Sequence, residues 1–185
     1  RMQGFSLQHT WFNRALLKAG ALRMIKASEN EDAFSDAIAG IVAEHDHPDM
    51  CKRFGLALGL TDQDFREEIP ILEVLSHTSV IVASSLVNPS VAARRSSGLA
   101  NEFIVQRYSS EFYNYLSKPP YGLSDETLEF FIVHGVVDVE HSALAAEAVA
   151  RLATTDRDKQ LVRDMVEKQV RLKLAKFDAI YDHYA

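Results

Sequence analysis

The segment FFIVHGVVDVEH, residues 130–141, says most about the fold and about a candidate site. At 100° per residue, His134, Asp138 and His141 fall within about 60° of one another on a helix, and apolar residues continue this stripe in both directions. Burying three ionisable side chains without partners would cost several kcal/mol each. Two imidazoles and a carboxylate offset that cost by binding a cation, and this donor set favours zinc, iron or manganese. The alternative is a satisfied hydrogen-bonded network inside a helical bundle.

Three ligands from one helix do not complete a metal site, so other helices must contribute. Glu102 stands between apolar residues, and so does Glu44. His47 follows Glu44 at i+3, which places the two side chains next to each other on a helix. Carboxylate and histidine ligands that project inward from bundle helices are typical of di-iron and di-manganese proteins. Taken singly, each glutamate would more often be a solvated surface residue.

Outside this segment the sequence has helical periodicity, and no stretch alternates as a strand does. Apolar spacing, caps, Gly and Pro predict an all-α bundle of about six to eight helices in a single domain, residues 1–185. The polar stretch 20–32 is predicted as a loop, and the segment 70–87 as a central helix buried all round. The predicted helices are about 8–18, 32–46, 48–58, 62–68, 70–87, 91–117, 124–153 and 155–184.

The composition excludes several classes of protein. With 47% hydrophobic and 25% charged residues among 185, the chain is neither disordered nor collagen-like. A net charge of −6 without a basic stripe argues against nucleic-acid binding. One cysteine, Cys51, excludes an intrachain disulfide and an all-cysteine zinc site. Short apolar runs and the lack of a signal-peptide pattern lead us to expect a cytoplasmic protein with no membrane partner. The alternating charges of residues 151–176 are typical of a solvated helix face.

These residues resemble the haem-oxygenase-like di-iron oxidases and oxygenases. The signature of that family is a Glu followed by a His, a lone Glu about thirty residues before the last motif, and a final His-x3-Asp-x2-His. Here Glu102 precedes His134 by 32 residues. The similarity extends over about 44–181 and includes FF at 130–131, ALG at 57–59 and FDAIY at 177–181.

The resemblance implies the haem-oxygenase fold, which thiaminase II and the pyrroloquinoline quinone biosynthesis oxidase share. It implies an O2-dependent oxidase or oxygenase of specialised metabolism that acts on a small carboxylate-bearing substrate, an amino acid or a fatty acid. It further implies two irons per chain, with manganese as the alternative metal, and a homodimer is one expectation. The implied ligands are Glu44, His47, Glu102, His134, Asp138 and His141, in which the carboxylates of Glu44, Glu102 and Asp138 are candidates to bridge the metals.

Four alternatives remain open at this point. Many members of the family place the first His where this chain has Cys51, so His45 or Cys51 can replace His47 as the ligand. A metal-free relative, thiaminase-like or a cofactorless oxidase, would use Cys51 as nucleophile, and haem binding would need a residue such as His9. The chain could also be a non-catalytic helical interaction protein.

Arginine suits a substrate carboxylate because its guanidinium can form two hydrogen bonds to it. Three arginines lie near Glu102 in the sequence, although we expect all three at the surface: Arg94, Arg95 and Arg107.

Overall fold

The computed structural model describes the backbone of residues 1–136 and 138–185, and it describes the side chains outside residues 136–141. All regular secondary structure in these residues is helical, so the prediction of an all-α fold is confirmed. The helices are α1 (Met2–Lys26), α2 (Glu31–Glu44), α3 (His47–Ala57), α4 (Asp62–Glu67), α5 (Leu72–Val87), α6 (Val91–Leu116), α7 (Glu129–Val136), α8 (Asp138–Leu152) and α9 (Asp156–His183).

Two capping boxes start helices where the sequence predicts them. The Thr61 side chain accepts a hydrogen bond from the Asp64 backbone N–H, and the Asp64 carboxylate accepts one from the Thr61 N–H. Thr155 and Asp158 form the same reciprocal pair at the start of α9. Each box satisfies two backbone donors that a helix N-terminus otherwise leaves without a partner.

The first helix is longer than the sequence predicts, and the expected loop at residues 20–32 is wrong over its first part. α1 continues to Lys26 because Ala19 and Gly20 are buried against neighbouring helices. A Cβ on Gly20 would lie 2.8 Å from Ile41 Cγ1, so the glycine permits close contact between α1 and α2. Tertiary packing here outweighs the low helix propensity of glycine.

The prediction that 70–87 is buried all round is also wrong. Only one face of α5 is buried, including Val74, His77 and Ile81, whereas Leu72 and Val87 are exposed. None of the described helices is both long enough and apolar enough to cross a membrane.

The helices form two layers. α1 packs against α2, α3 and α5, while α6 packs against α7, α8 and α9. Contacts of α5 with α9 and of α3 with α7 join the layers. Aromatic side chains fill the space between them, among them Phe5, Phe54, Phe130 and Phe131. This aromatic core fixes α7, and with it His134, against α1 and α3.

Candidate metal centre

A cavity of about 530 Å³ opens between the two layers. Its wall includes Glu44 of α2, Glu102 of α6 and His134 of α7. Lys173 of α9 and Arg23 of α1 line it as well. Arg23 and Lys173, 150 positions apart in the sequence, therefore line one cavity.

Glu44 and His134 of this wall form a contacting cluster with His47. His47 Nδ1 lies 2.6 Å from Glu44 Oε2, as their i, i+3 spacing predicts. The ring centroids of His47 and His134 are 4.2 Å apart. Both histidines are buried, and the Glu44 side chain is 30% exposed.

The His134 ring is held in one orientation. Its Nδ1 lies 2.6 Å from the backbone carbonyl of Phe130, one turn earlier, so Nδ1 carries the proton and donates. Burial, followed by the nearby His47, lowers the pKa of His134 to about 4. The imidazole is therefore neutral near pH 7 with its Nε2 lone pair available, which is the form that binds metals.

Glu44 is an ionised carboxylate in spite of its surroundings. Burial by itself would raise its pKa, but the hydrogen bond and charge of His47, together with His134 and Arg23, bring the pKa below its ordinary value. An ionised carboxylate beside neutral imidazole is an appropriate donor pair for iron or manganese.

Glu102 faces the cavity from the opposite layer. Arg95 Nη1 lies 3.3 Å from Glu102 Oε1, and Arg95 Nε lies 2.6 Å from Asp36 Oδ2. Arg95 thus connects α6 to α2 across the cavity, and its side chain is only 14% exposed. The expectation that Arg94 and Arg95 lie at the surface is wrong, since Arg94 is also buried and donates to the Asn88 carbonyl. Arg107 is exposed as expected.

The other two predicted ligands, Asp138 and His141, have side chains outside the described residues. Among the side chains that are described, no group of three or more His, Cys, Asp or Glu is arranged to hold a metal ion. The donor chemistry of the described part nevertheless fits iron, because it combines an ionised carboxylate, a second carboxylate on the same cavity and a neutral, oriented imidazole.

A comparison with protein families shows the family of this chain. The sequence model of a family described as iron-containing redox enzymes matches residues 19–174. The chain belongs to this family. Membership in the iron-containing redox enzymes supports an oxidoreductase-type function that uses iron.

Solved structures show the fold. The chain superimposes on a domain of unknown function with a haem oxygenase-like fold from Shewanella denitrificans, with a TM-score of 0.85 and 16% sequence identity. The match covers 99% of this chain and 78% of the other. This similarity confirms the haem-oxygenase-like fold. Among curated proteins, none matches the chain significantly.

Within this iron-containing redox enzyme, Cys51 is poorly placed to act as a nucleophile. Its side chain is fully buried, and burial raises the pKa of the thiol far above its usual range. The reactive form of cysteine is the thiolate, which this environment disfavours. The reserve ligand His45 is exposed, and its Nδ1 lies 2.7 Å from the Val42 carbonyl.

His9, the residue considered for haem, has neighbours at both ring nitrogens. Tyr108 Oη lies 3.1 Å from Nε2, and Lys176 Nζ lies 3.2 Å from Nδ1. The ring also stacks on Phe5 at 4.7 Å between centroids. Both ring nitrogens therefore contact other side chains of the protein, and neither is left to bind a haem iron.

Sequence reasoning missed two buried lysines in α9. Lys173 and Lys176 are almost completely inaccessible to solvent, so the prediction of a solvated face over residues 151–176 is wrong at its end. Lys173 donates to Asn101 Oδ1 at 3.2 Å. A signal was present, because the buried residues of α9 recur every three or four positions: Met165, Gln169, Lys173, Lys176 and Ile180.

Proposed function

We propose that this protein is a non-haem di-iron enzyme that uses O2 to oxidise a small carboxylate-bearing substrate. The observation that carries the proposal is the contacting cluster of Glu44, His47 and His134, of which Glu44 and His134 line the cavity together with Glu102. Membership in the family of iron-containing redox enzymes supports the use of iron and a redox reaction.

The proposed ligands divide between two irons. The first iron would be held by Glu44, His47, Glu102 and His134, and the second would be held by Asp138 and His141. Bound iron would supply the activation of O2. A helical bundle that projects carboxylates and histidines inward is the usual support for such a pair of metals.

The protein's own residues position and shield the reaction. The hydrogen bond from His134 Nδ1 to the Phe130 carbonyl leaves Nε2 as the nitrogen that would bind iron. Phe12, Leu16 and Val105 line the cavity with apolar surface that limits the access of water. Arg95 of α6 joins its helix to α2 through Asp36 and also pairs with Glu102 on its own helix, which keeps the two carboxylate-bearing helices in register.

Oxygen uptake tests this proposal. The full chain is loaded anaerobically with Fe(II) and mixed with O2 in the presence of candidate fatty acids and amino acids. We expect a carboxylate that accelerates O2 consumption in the wild type and has no such effect in His134→Ala. The matched control is the exposed His183→Ala, which should behave as the wild type does. Uptake that no carboxylate stimulates, or that His134→Ala retains, would contradict the proposal.

A further inference from the structure

Arg23 extends into the cavity from α1. Leu16, Gly20 and Arg23 lie four and three residues apart and all line the cavity, so they share one face of the helix. Long helical side chains point towards the helix N-terminus. Accordingly, Arg23 Nη2 lies 3.7 Å from the position that a Cβ of Gly20 would occupy, next to Ile41 of α2.

Two of the three guanidinium nitrogens of Arg23 lack acceptors. Its Nε and Nη1 atoms are shielded from solvent and make no hydrogen bond within the part of the chain that the structure describes. The other two arginines nearby have acceptors. Arg95 pairs with Asp36 and Glu102, and Arg94 donates to the Asn88 carbonyl. Buried donors without acceptors carry a free-energy cost, and a ligand that supplies the acceptors removes it.

The charge of Arg23 is retained at neutral pH. Burial and the neighbouring Arg95 lower the pKa of Arg23 to about 10, against the opposing effect of Glu44, Asp36 and Glu102. The group is therefore still a cation near pH 7. The cavity thus presents a charged, planar donor whose natural partner is an anion with two oxygens in one plane.

We propose that Arg23 binds the carboxylate of the substrate, and that the substrate is a monocarboxylate with an apolar body. This inference rests on the proposed function, which requires a carboxylate but assigns no residue to it. A dianionic phosphate fits less well, because Asp36, Glu44 and Glu102 line the same cavity and would repel the second charge.

The apolar part of the proposed ligand follows from the side chains around Arg23. Leu16 and Leu17 precede it on the same wall, and Ile41 faces it from α2. This part of the wall is apolar, whereas the rest of the cavity carries charged and polar side chains, so an apolar group of the ligand matches this part. The body of the ligand would lie along these residues, between Arg23 and the cluster of Glu44, His47 and His134.

Binding of octanoate and of octan-1-ol separates the role of the charge from that of the apolar wall. Both are titrated calorimetrically, without O2, into the full chain after incubation with Fe(II). Arg23→Met should weaken octanoate binding by about 10- to 100-fold and change octanol binding by less than about threefold. Arg23→Lys should fall between the two, because lysine retains the charge but loses the planar pair of donors.

Two matched variants control for charge and for general damage. Arg14→Met removes an exposed arginine from the same helix, and Arg107→Met removes an exposed arginine from α6 outside the cavity. Both should leave octanoate affinity within about threefold of the wild type. Thermal denaturation checks folding, and Arg23→Met should melt no lower than the wild type because it removes buried donors that lack acceptors. If Arg23→Met fails to fold, the octanoate affinity of Arg23→Lys tests the role of Arg23 instead.

Three results would overturn the inference: no octanoate binding by the wild type, equal losses of octanoate and octanol affinity in Arg23→Met, or tighter competition by inorganic phosphate than by a second carboxylate. The iron content of the same samples separates this failure from failure of the proposed function. Bound iron without Arg23-dependent octanoate binding refutes only the role of Arg23. Arg23-dependent binding without iron refutes only the di-iron enzyme.

Discussion

His77 shows what a single buried residue contributes to stability in this fold. Its Nε2 donates to Gln169 Oε1 at 2.8 Å, and the side chain is inaccessible to solvent. Burial, followed by the charges of Lys176 and Lys173, lowers the pKa of His77 from 6.5 to about 2. The folded protein therefore keeps this histidine neutral at pH values where the unfolded chain protonates it.

That difference predicts a loss of stability in acid. Between the folded and unfolded pKa values the unfolded state binds more protons, so stability falls as the pH drops below about 6.5. From pH 7 to pH 5 we expect His77 to reduce the free energy of unfolding by about 2 kcal/mol. His77→Gln should show a correspondingly smaller loss in urea denaturation, whereas the exposed His183→Gln should match the wild type. An unchanged pH dependence in His77→Gln would refute this account.

At the scale of helices, replacing either of two glycines by alanine is predicted to change stability in opposite directions. A Cβ on Gly55 of α3 would lie 2.3 Å from Ser6 Oγ and 2.7 Å from Phe65 Cζ, whereas a Cβ on Gly40 of α2 would meet nothing within 4 Å. Gly55 thus permits the close contact of α3 with α1, and Gly40 only lowers helix propensity.

Alanine at these positions tests the packing of α1 against α3. Gly55→Ala should cost about 1–3 kcal/mol, since Ser6 and the Phe65 ring must move. Gly40→Ala should instead stabilise the protein by about 0.5–1 kcal/mol. Thermal or urea denaturation of the two variants measures these changes in stability. An unchanged stability in Gly55→Ala would show that α1 and α3 are not packed this closely.

Local signals predicted the starts of α4 and α9, where capping boxes are present, and predicted poorly where packing decides. Thr61 and Thr155 marked helix starts because a capping box is formed by residues three positions apart. The continuation of α1 through Gly20 was missed, since it depends on contact with Ile41 of another helix. The exposed side of α5 was missed for a similar reason, as apolar periodicity does not say which neighbours cover a helix.

For the whole molecule, the site exists only after the two layers meet. Sequence spacing predicted that His134 is buried and that Glu44 lies next to His47. It did not predict that Arg23 and Lys173 reach the same cavity, because α1 and α9 bring them there from opposite ends of the chain. The order in which helices stack, rather than any local motif, determines these neighbours.

The central claim is that the cluster of Glu44, His47 and His134 belongs to an iron site, and iron stoichiometry tests it most directly. The full chain is incubated anaerobically with Fe(II), freed of unbound metal and assayed for iron per chain. The wild type should retain about two irons, as a di-iron bundle does. Cys51→Ser should retain the same amount, and His47→Ala and His134→Ala should each lose most of it. Full retention of iron by both histidine variants would contradict the account.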